Sequence, residues 1–195
     1  MKKTFLALLL MAGAAAPVAA QTNWQGDNAH SSVMFAIEHM GVAKTVGWFS
    51  DYEVKMTTNK ADFSDAQVEI TIQTKSINTA NEQRDGHLKS ADFFDAEKFQ
   101  TITFKSTSFK KIKDNVYEVK GNFTMKGVTK EITLEAVYGG EKKDPYGNIK
   151  SGWSIRTKVD RTQFGMTWNA PLEGGGTILN TMVEVMCEIE LSKKK

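Results

Sequence analysis

Residues 117–138 read YEVKGNFTMKGVTKEITLEAVY, and this stretch predicts the fold. Apolar and polar side chains alternate over residues 117–125, and they alternate again over residues 132–138. Successive side chains of a strand point to opposite faces, so each half is expected to be a strand with one dry face and one wet face. Lys126-Gly127, between the halves, has the length and the glycine of a tight hairpin. The stretch therefore predicts two neighbouring antiparallel strands.

The same alternation recurs along the chain, with turn-forming residues between the runs. Six further runs show it: residues 33–37, 52–56, 68–72, 102–104, 153–159 and 183–191. The links between them are too short for the helical crossovers that parallel strands need. About eight strands with such links predict an all-β fold, either an up-and-down antiparallel barrel or a sandwich.

One long stretch interrupts the alternation. Residues 79–100 are rich in helix formers, and we expect one or two short helices there, the second beginning at Ser90 as its N-cap. A long insertion between strands is often functional. We expect this short helical insertion to cover one open end of a barrel.

The first twenty residues have the features of a signal peptide. Lys2 and Lys3 precede an apolar run at residues 5–11, and small residues follow as far as Ala20. The apolar run is too short to span a bilayer, so no integral membrane anchor is expected. We therefore divide the chain into a signal peptide, residues 1–20, and an exported domain, residues 21–195.

Charge and cysteine content argue against a nucleic-acid-binding protein and against a fold stabilised by internal disulfides. The chain has 25 basic and 23 acidic residues, and two of the basic ones, Lys2 and Lys3, lie in the signal peptide. The mature chain is thus close to neutral, whereas nucleic-acid binding needs clustered positive charge. The one cysteine, Cys187, cannot form an internal disulfide, and it lies in an alternating apolar series. We expect it to be a small buried apolar side chain.

The wet faces carry Glu, Lys, Thr and Asn, which is the reverse of a membrane barrel. The barrel should therefore be water-soluble with an apolar interior. An eight-stranded interior is either filled by side chains or holds one small ligand, and the alternation leaves both open. Three small inward side chains would leave room: Gly121, Ala136 and Cys187. Four inward aromatic side chains are candidates for the lining: Phe35, Phe123, Tyr138 and Trp153.

Four motifs favour the hollow interior: residues 27–35 (DNAHSSVMF), 84–95 (RDGHLKSADFFD), 121–129 (GNFTMKGVT) and 160–166 (DRTQFGM). In this order and spacing they closely resemble the YceI-like family, the polyisoprenoid-binding, lipocalin-like proteins of bacteria. The resemblance runs from about residue 24 to residue 191. It departs at Asn28, where many relatives have proline, and at Gln163, where an acid is common.

The resemblance implies a lipocalin-like barrel with a long apolar tunnel that holds an isoprenoid or another long-chain amphiphile. It also implies export, typically to the periplasm, and frequent pairing into homodimers. The chain is therefore expected to bind and to carry or sequester such a lipid. The alternative is an enzyme, a hydrolase or isomerase acting on a lipid in the same barrel. A third reading is a stress-related structural protein whose lipid is incidental.

The insertion supplies the polar candidates for ligand binding. Arg84 can hold a phosphate or carboxylate head group by paired hydrogen bonds, and His87 lies close to it in the sequence. The alternative for Arg84 and Asp85 is that they tie the insertion to the barrel. Phe93 and Phe94 are either core residues or contacts to a lipid tail. The complete set of ligand-binding candidates is Phe35, His39, Arg84, His87, Phe93, Phe94, Phe123, Tyr138 and Trp153.

The sequence offers no catalytic constellation. The chain has three histidines, and the spacing of nine between His30 and His39 puts them on opposite faces of a regular strand. Ser31 follows His30 but lacks the Gly-x-Ser-x-Gly elbow of a hydrolase, and Gly174-Gly175-Gly176 lacks a P-loop lysine. We expect no catalytic residue, no metal site and no cofactor.

The signal peptide yields the first testable prediction. Val18 and Ala20 are the small side chains that signal peptidase selects, so the exported protein should begin at Gln21. Intact-mass measurement of the exported form checks this. A mass that retains residues 1–20, or that carries a lipid on the N-terminus, would contradict it.

Overall fold

The computed structural model describes residues 21–194, and the predicted signal peptide lies outside this range. The described chain forms one antiparallel sheet of eleven strands. The strands are β1 (Thr22–Gly26), β2 (Ser32–His39), β3 (Ala43–Phe49), β4 (Tyr52–Thr58), β5 (Gln67–Gln73), β6 (Ile77–Asn78), β7 (Thr101–Lys113), β8 (Val116–Met125), β9 (Val128–Lys143), β10 (Ile149–Asp160) and β11 (Leu179–Lys193). One α-helix, α1 (Glu82–Lys89), and two short 3₁₀ helices (Thr74–Ser76 and Arg161–Phe164) complete the described elements.

The sheet closes on itself. Eight strands form a ring in the order β1, β4, β5, β7, β8, β9, β10 and β11, and β11 pairs with β1. β2, β3 and β6 lengthen one side of the ring, since β2 pairs with β11 and with β3, and β3 pairs with β6. The chain passes from β1 to β2, from β3 to β4 and from β5 to β6 with only short breaks, so these pairs are long bent strands. Counted in this way, the molecule is an up-and-down barrel of eight strands, and the predicted barrel is confirmed.

Neighbouring bends are tied to the strands beside them. At the break between β1 and β2, the Asp27 N–H donates to the Glu190 carbonyl of β11 at 2.8 Å. Asn28, where many relatives have proline, donates from its side chain to the Tyr52 carbonyl of β4 at 2.7 Å. At the break between β3 and β4, the Ser50 N–H donates to the Ser76 carbonyl at 3.2 Å. The breaks between these strands are therefore bridged by hydrogen bonds to neighbouring segments.

The tight hairpins lie where the turn residues predict them. Lys126 and Gly127 join β8 to β9 with φ values of +50° and +75°. Positive φ at both positions is what a two-residue type I′ hairpin requires. Asp114 and Asn115 likewise form the whole link between β7 and β8. Both hairpins fix the register of the strands that they join. The inward-facing side chains of one strand are therefore aligned with those of the next.

Three strands were not predicted from the sequence, and each has a reason. In β3, Val46 and Trp48 face outward and are exposed, so apolar residues occupy both faces and hide the alternation. β1 is only five residues long and β6 only two, which is too short to show a period.

The insertion contains one helix rather than two. Asn81 caps α1 by accepting a hydrogen bond from the Arg84 N–H at 2.9 Å. Ser90 lies at the C-terminal end of α1, so the helix predicted to begin there was wrong. After Ser90 the backbone folds back, and the N–H of Phe94 donates to the Leu88 carbonyl at 3.0 Å. This turn buries the Phe93 side chain. Within residues 21–194, no helix is long and apolar enough to cross a membrane.

One end of the barrel is filled by aromatic side chains. Phe63, on the loop between β4 and β5, enters this end and is 2% exposed. Its ring centroid lies 5.8 Å from that of Trp24, 5.3 Å from that of Tyr138 and 5.2 Å from that of Trp153. The Tyr117 hydroxyl donates to the Asp62 carbonyl at 2.8 Å and so holds the loop in place. We call the Phe63, Trp24, Tyr138, Trp153 and Tyr117 side chains the aromatic plug.

The plug generates a stability prediction. Phe63→Ala should lower the free energy of unfolding by about 3–5 kcal/mol, because it removes a fully buried ring and leaves a cavity. Urea denaturation followed by tryptophan fluorescence measures the change. Tyr146→Ala is the control: its ring is 89% exposed, so its effect should stay within about 0.5 kcal/mol. A loss at Phe63 as small as that of the control would contradict the assignment of Phe63 as a plug.

Candidate functional site

The end of the barrel opposite the aromatic plug is hollow. The cavity has a volume of about 440 Å³. Its walls continue the inward side-chain series of the strands, and most of the side chains that these strands contribute are apolar. They include Val33, Phe35, Ile37, Phe49, Ile70, Ile72, Ile102, Phe104, Phe123, Met125, Ile132, Leu134, Ile155, Val159, Val183, Val185 and Cys187. The alternation left open whether the barrel is filled or hollow. The structure shows both: the barrel is filled at the plug end and hollow at the other end.

The insertion covers the cavity. It contributes six lining residues: Thr79, Arg84, His87, Leu88, Phe93 and Phe94. Lys126, in the hairpin between β8 and β9, donates to the Ala91 carbonyl at 2.8 Å and fastens the insertion to the rim. Gly127, its neighbour, packs on the Phe99 ring, and a Cβ there would overlap that ring. The cover is thus built against the ends of the strands rather than lying free.

Seven of the nine side chains predicted to bind a ligand line this cavity. They are Phe35, His39, Arg84, His87, Phe93, Phe94 and Phe123. Four of them come from the insertion and three from the strands. The structure thus brings residues from distant parts of the sequence to one interior surface.

Tyr138 and Trp153 do not line the cavity, which corrects their predicted position. Both belong to the aromatic plug, with ring centroids 4.9 Å apart. Burial raises the pKa of Tyr138 to about 12, so its phenol is neutral at physiological pH. Alternation had correctly assigned both rings to the inside of the barrel. It carries no information about which end of the barrel an inward side chain occupies, and this is why the assignment failed.

The small residues leave less room than expected. A Cβ on Gly121 would overlap the Phe104 ring, so this glycine makes space for a core ring rather than for a ligand. Ala136 is buried beside the plug, where it pairs with Tyr117, and it does not line the cavity. Cys187 does line the cavity and is 6% exposed.

Arg84 and Asp85 both bond to Thr79. Arg84 donates from Nε to the Thr79 hydroxyl and from Nη2 to the Thr79 carbonyl, each at 2.8 Å. Asp85 accepts the Thr79 N–H at 2.9 Å and also the Thr79 hydroxyl. The Thr79 hydroxyl therefore accepts from one residue and donates to the other. These bonds lie within the insertion and fix α1 to Thr79, the residue that directly follows β6 of the barrel. The geometry fits the alternative in which Arg84 and Asp85 hold the insertion in place.

His87 joins the insertion to a second covering loop. Its ring stacks edge-on against Phe93 at 5.0 Å and against Trp168 at 4.9 Å. Its Nε2 lies 3.0 Å from an Asp92 carboxylate oxygen. Trp168 belongs to the loop between β10 and β11 and also lines the cavity. Sequence reasoning missed Trp168, because it lies in an irregular segment without a period.

Arg161 was also missed, although the strand pattern contains a signal for it. The inward residues of β10 continue through Ile155, Thr157 and Val159, and the next inward position is Arg161. Arg161 lines the cavity and is 3% exposed. A cation at an inward position is the exception that marks a functional or structural site, since charged side chains are seldom buried.

A cluster of possible metal ligands lies elsewhere, outside the barrel. Asp27, His30 and Glu190 place one ligand atom each within 4.8 Å of one another. The Lys150 ammonium lies 3.1 Å from Glu190 and also contacts Asp27. Its hydrogen bond holds the pKa of Asp27 at about 2. The cluster therefore works as an ion-pair network that fastens the bend between β1 and β2 to β10.

Comparison with known proteins identifies the family to which the chain belongs. A family model described as a YceI-like domain matches residues 24–191. The chain belongs to the YceI-like family. The UPF0312 protein SA2479 of Staphylococcus aureus strain N315 is 38% identical over 172 residues, which cover 88% of this chain and 98% of that protein. The resemblance carried by the four sequence motifs is thereby confirmed.

Two solved structures support the same fold. The YceI protein of Campylobacter jejuni matches with a TM-score of 0.69 and 31% identity, covering 81% of this chain and 90% of that one. A polyisoprenoid binding domain from Saccharophagus degradans, implicated in plant cell wall breakdown, matches with a TM-score of 0.66. It is 12% identical and covers 88% of this chain and 98% of that one, so its likeness concerns the fold. The barrel fold is thus shared with a protein of only 12% sequence identity.

Cys187 provides a probe of the cavity wall. Burial raises the pKa of its thiol to about 12, so thiolate, the reactive form, is scarce at neutral pH. The folded protein should therefore resist a charged, water-soluble thiol reagent and react only after denaturation. Mass spectrometry of labelled protein measures this, and a Ser108→Cys variant, whose side chain is exposed on β7, is the control that should react at once. Rapid native labelling of Cys187 would contradict its placement.

Proposed function

We propose that this YceI-like protein is exported to the periplasm and there binds a long apolar lipid, of isoprenoid type, within its cavity. It carries or sequesters that lipid without changing it chemically. The observation that supports the proposal is the covered cavity whose strand walls are mostly apolar. A soluble protein gains nothing in stability from such a space, because an empty apolar cavity forfeits contacts. Its maintenance is explained by an apolar occupant.

The size of the cavity sets the length of chain that it can enclose. A group the size of a water molecule takes about 30 Å³ in a liquid, so about 440 Å³ has room for roughly fifteen such groups. A methylene group is of similar size, and each one moved out of water contributes about 0.8 kcal/mol. A chain that fills the cavity thus gains roughly 12 kcal/mol before the costs of association and ordering, which take a large part of it. Useful affinity is available from the tail alone.

The isoprenoid class rests on the family. A solved structure with the same fold is described as a polyisoprenoid binding domain. Branched and aromatic side chains such as Ile70, Val185 and Phe123 suit a methyl-branched chain, but they also suit a straight one. By volume, the cavity encloses about three isoprene units of five carbons each.

A series of prenols tests the proposal. Geraniol, farnesol and geranylgeraniol differ by one isoprene unit each, and their dissociation constants can be measured by displacement of a fluorescent lipid. Affinity should rise steeply from geraniol to farnesol as the cavity fills, and the gain should shrink for geranylgeraniol. Prenol recovered after long incubation should be chemically unchanged. Affinity that is independent of chain length would contradict a tail-dominated site, and a modified prenol would indicate an enzyme.

A matched pair of variants locates the binding. Val185 lines the cavity, whereas Met186 is the next residue of β11 and faces away from it. Val185→Trp should obstruct the cavity and weaken farnesol binding tenfold or more, as expected for the loss of two or more buried methylene groups. Met186→Trp should leave the affinity within about twofold of the original. Circular dichroism checks that both variants fold, and equal binding by both would contradict the site.

A further inference from the structure

The cavity contains one buried charge that the packing of the barrel does not account for. Arg161 follows directly on β10 and is 3% exposed. Val159, two residues before it on the same inward series, is an apolar wall residue. Guanidinium groups stay charged in proteins, and removing one from water is expensive unless partners compensate it. The hydrogen-bond partners of the guanidinium group therefore determine whether its burial is compensated.

Three hydrogen bonds join the guanidinium group to backbone carbonyls. Nε donates to the Asn180 carbonyl at 3.0 Å. Nη1 donates to the carbonyls of Met166 and Trp168, at 2.7 Å and 3.0 Å. The two remaining N–H groups are both on Nη2, which is buried and has no hydrogen-bond partner within the described residues. A buried donor left without an acceptor is unfavourable, and here it carries part of a positive charge.

No acid neutralises this arginine. Among the ion pairs of residues 21–194, none involves Arg161. Asp160 is its neighbour in the chain, but its Oδ1 accepts the N–H and the hydroxyl of Thr162 instead. Gln163 is uncharged and lies on the exposed side of the same 3₁₀ helix. Burial accordingly lowers the pKa of Arg161, and the charge of Asp160 opposes this only in part.

We propose that Arg161 receives an anionic head group of the bound lipid, a carboxylate or a phosphate, through Nη2. This inference rests on the proposed lipid-binding function and adds the chemistry of the head group to it. Arg161 stands at the covered end of the barrel, where β10 ends and β11 begins, and the aromatic plug closes the other end. The head group therefore lies under the cover, and the tail extends from it towards the plug.

Arg84, which the sequence offered as one candidate for holding a head group, is a poorer candidate than Arg161. It is exposed, so water already solvates its charge. Its Nε and Nη2 are held by Thr79. An anion at Arg84 would compete with these bonds and with the solvent, whereas at Arg161 it would meet an unpartnered donor in a dry site. Electrostatic attraction is much stronger in such a low-dielectric site.

The experiment compares ligands with the same tail and different heads. Laurate is measured against dodecanol, and farnesyl monophosphate against farnesol, at neutral pH and below the micellar concentration. At least one anion should bind about tenfold to a hundredfold more tightly than its alcohol, as expected for one charge-assisted hydrogen bond. The pair that shows the larger preference identifies carboxylate or phosphate as the head group. If the alcohols bind and neither anion is preferred, the head-group proposal is overturned while lipid binding stands. If neither alcohol nor anion binds, the proposed function itself fails.

Matched variants assign the preference to a residue. Arg161→Met should abolish the anion preference while leaving the dodecanol affinity within about threefold, since the apolar walls are unchanged. Arg84→Met should keep the preference. If Arg161 had only a structural role, Arg161→Met would weaken the binding of acid and alcohol alike, and that result overturns the proposal. Loss of the anion preference in Arg84→Met alone also overturns it. If Arg161→Met does not fold, Arg161→Lys, which keeps a charge but loses the guanidinium geometry, should reduce the preference, and an unchanged preference overturns it.

Discussion

The closure of the sheet by β11 is the constraint on which the rest of the structure depends. One edge of this long strand pairs with β10 along most of its length, and the other edge pairs first with β2 and then with β1. Since the ring is closed, every strand of it has neighbours on both sides, and the wall of the ring encloses its inward side chains. The ends of the barrel therefore decide what the interior can hold.

The two ends are treated in opposite ways. At one end, the loop that carries Phe63 brings a ring into contact with Trp24, Tyr138 and Trp153, and the space is filled. At the other end, the insertion of residues 79–100 covers the wall without filling the space beneath it. The interior thus combines a packed aromatic end with an apolar cavity. The same inward face of β10 contributes Trp153 to the plug and Ile155 to the wall, and it leads on to Arg161 at the covered end.

Much of the fold could be predicted from the sequence, because a strand with one solvent-facing side shows a two-residue alternation of apolar and polar residues. The runs that lie in β8 and β9 are clear for this reason, and β3 was missed because Val46 and Trp48 make its outer face apolar too. The candidate site was predicted less well. The two-residue alternation distinguishes inward from outward side chains, but it does not show where along the barrel axis an inward side chain lies. Tyr138 and Trp153 were consequently placed in the cavity, and they lie in the plug. Arg161 was detectable as a cation on an inward series, but the partners that make it unusual lie nineteen residues away, at Asn180, and in an irregular loop.

A cavity that is dry along its strands, covered at one end and closed by aromatic rings at the other is suited to an amphiphile with a long tail. Under the proposed function, the tail supplies the affinity and the polar groups under the cover orient the head group. The most direct measurement is mass spectrometry of an organic extract from the protein purified, without detergent, from the bacterium that produces it. If the barrel binds lipid, the extract should contain one predominant long-chain lipid in near-stoichiometric amount. Protein that repeatedly yields no lipid, and that also fails to take up lipid offered to it, would contradict lipid binding by this barrel.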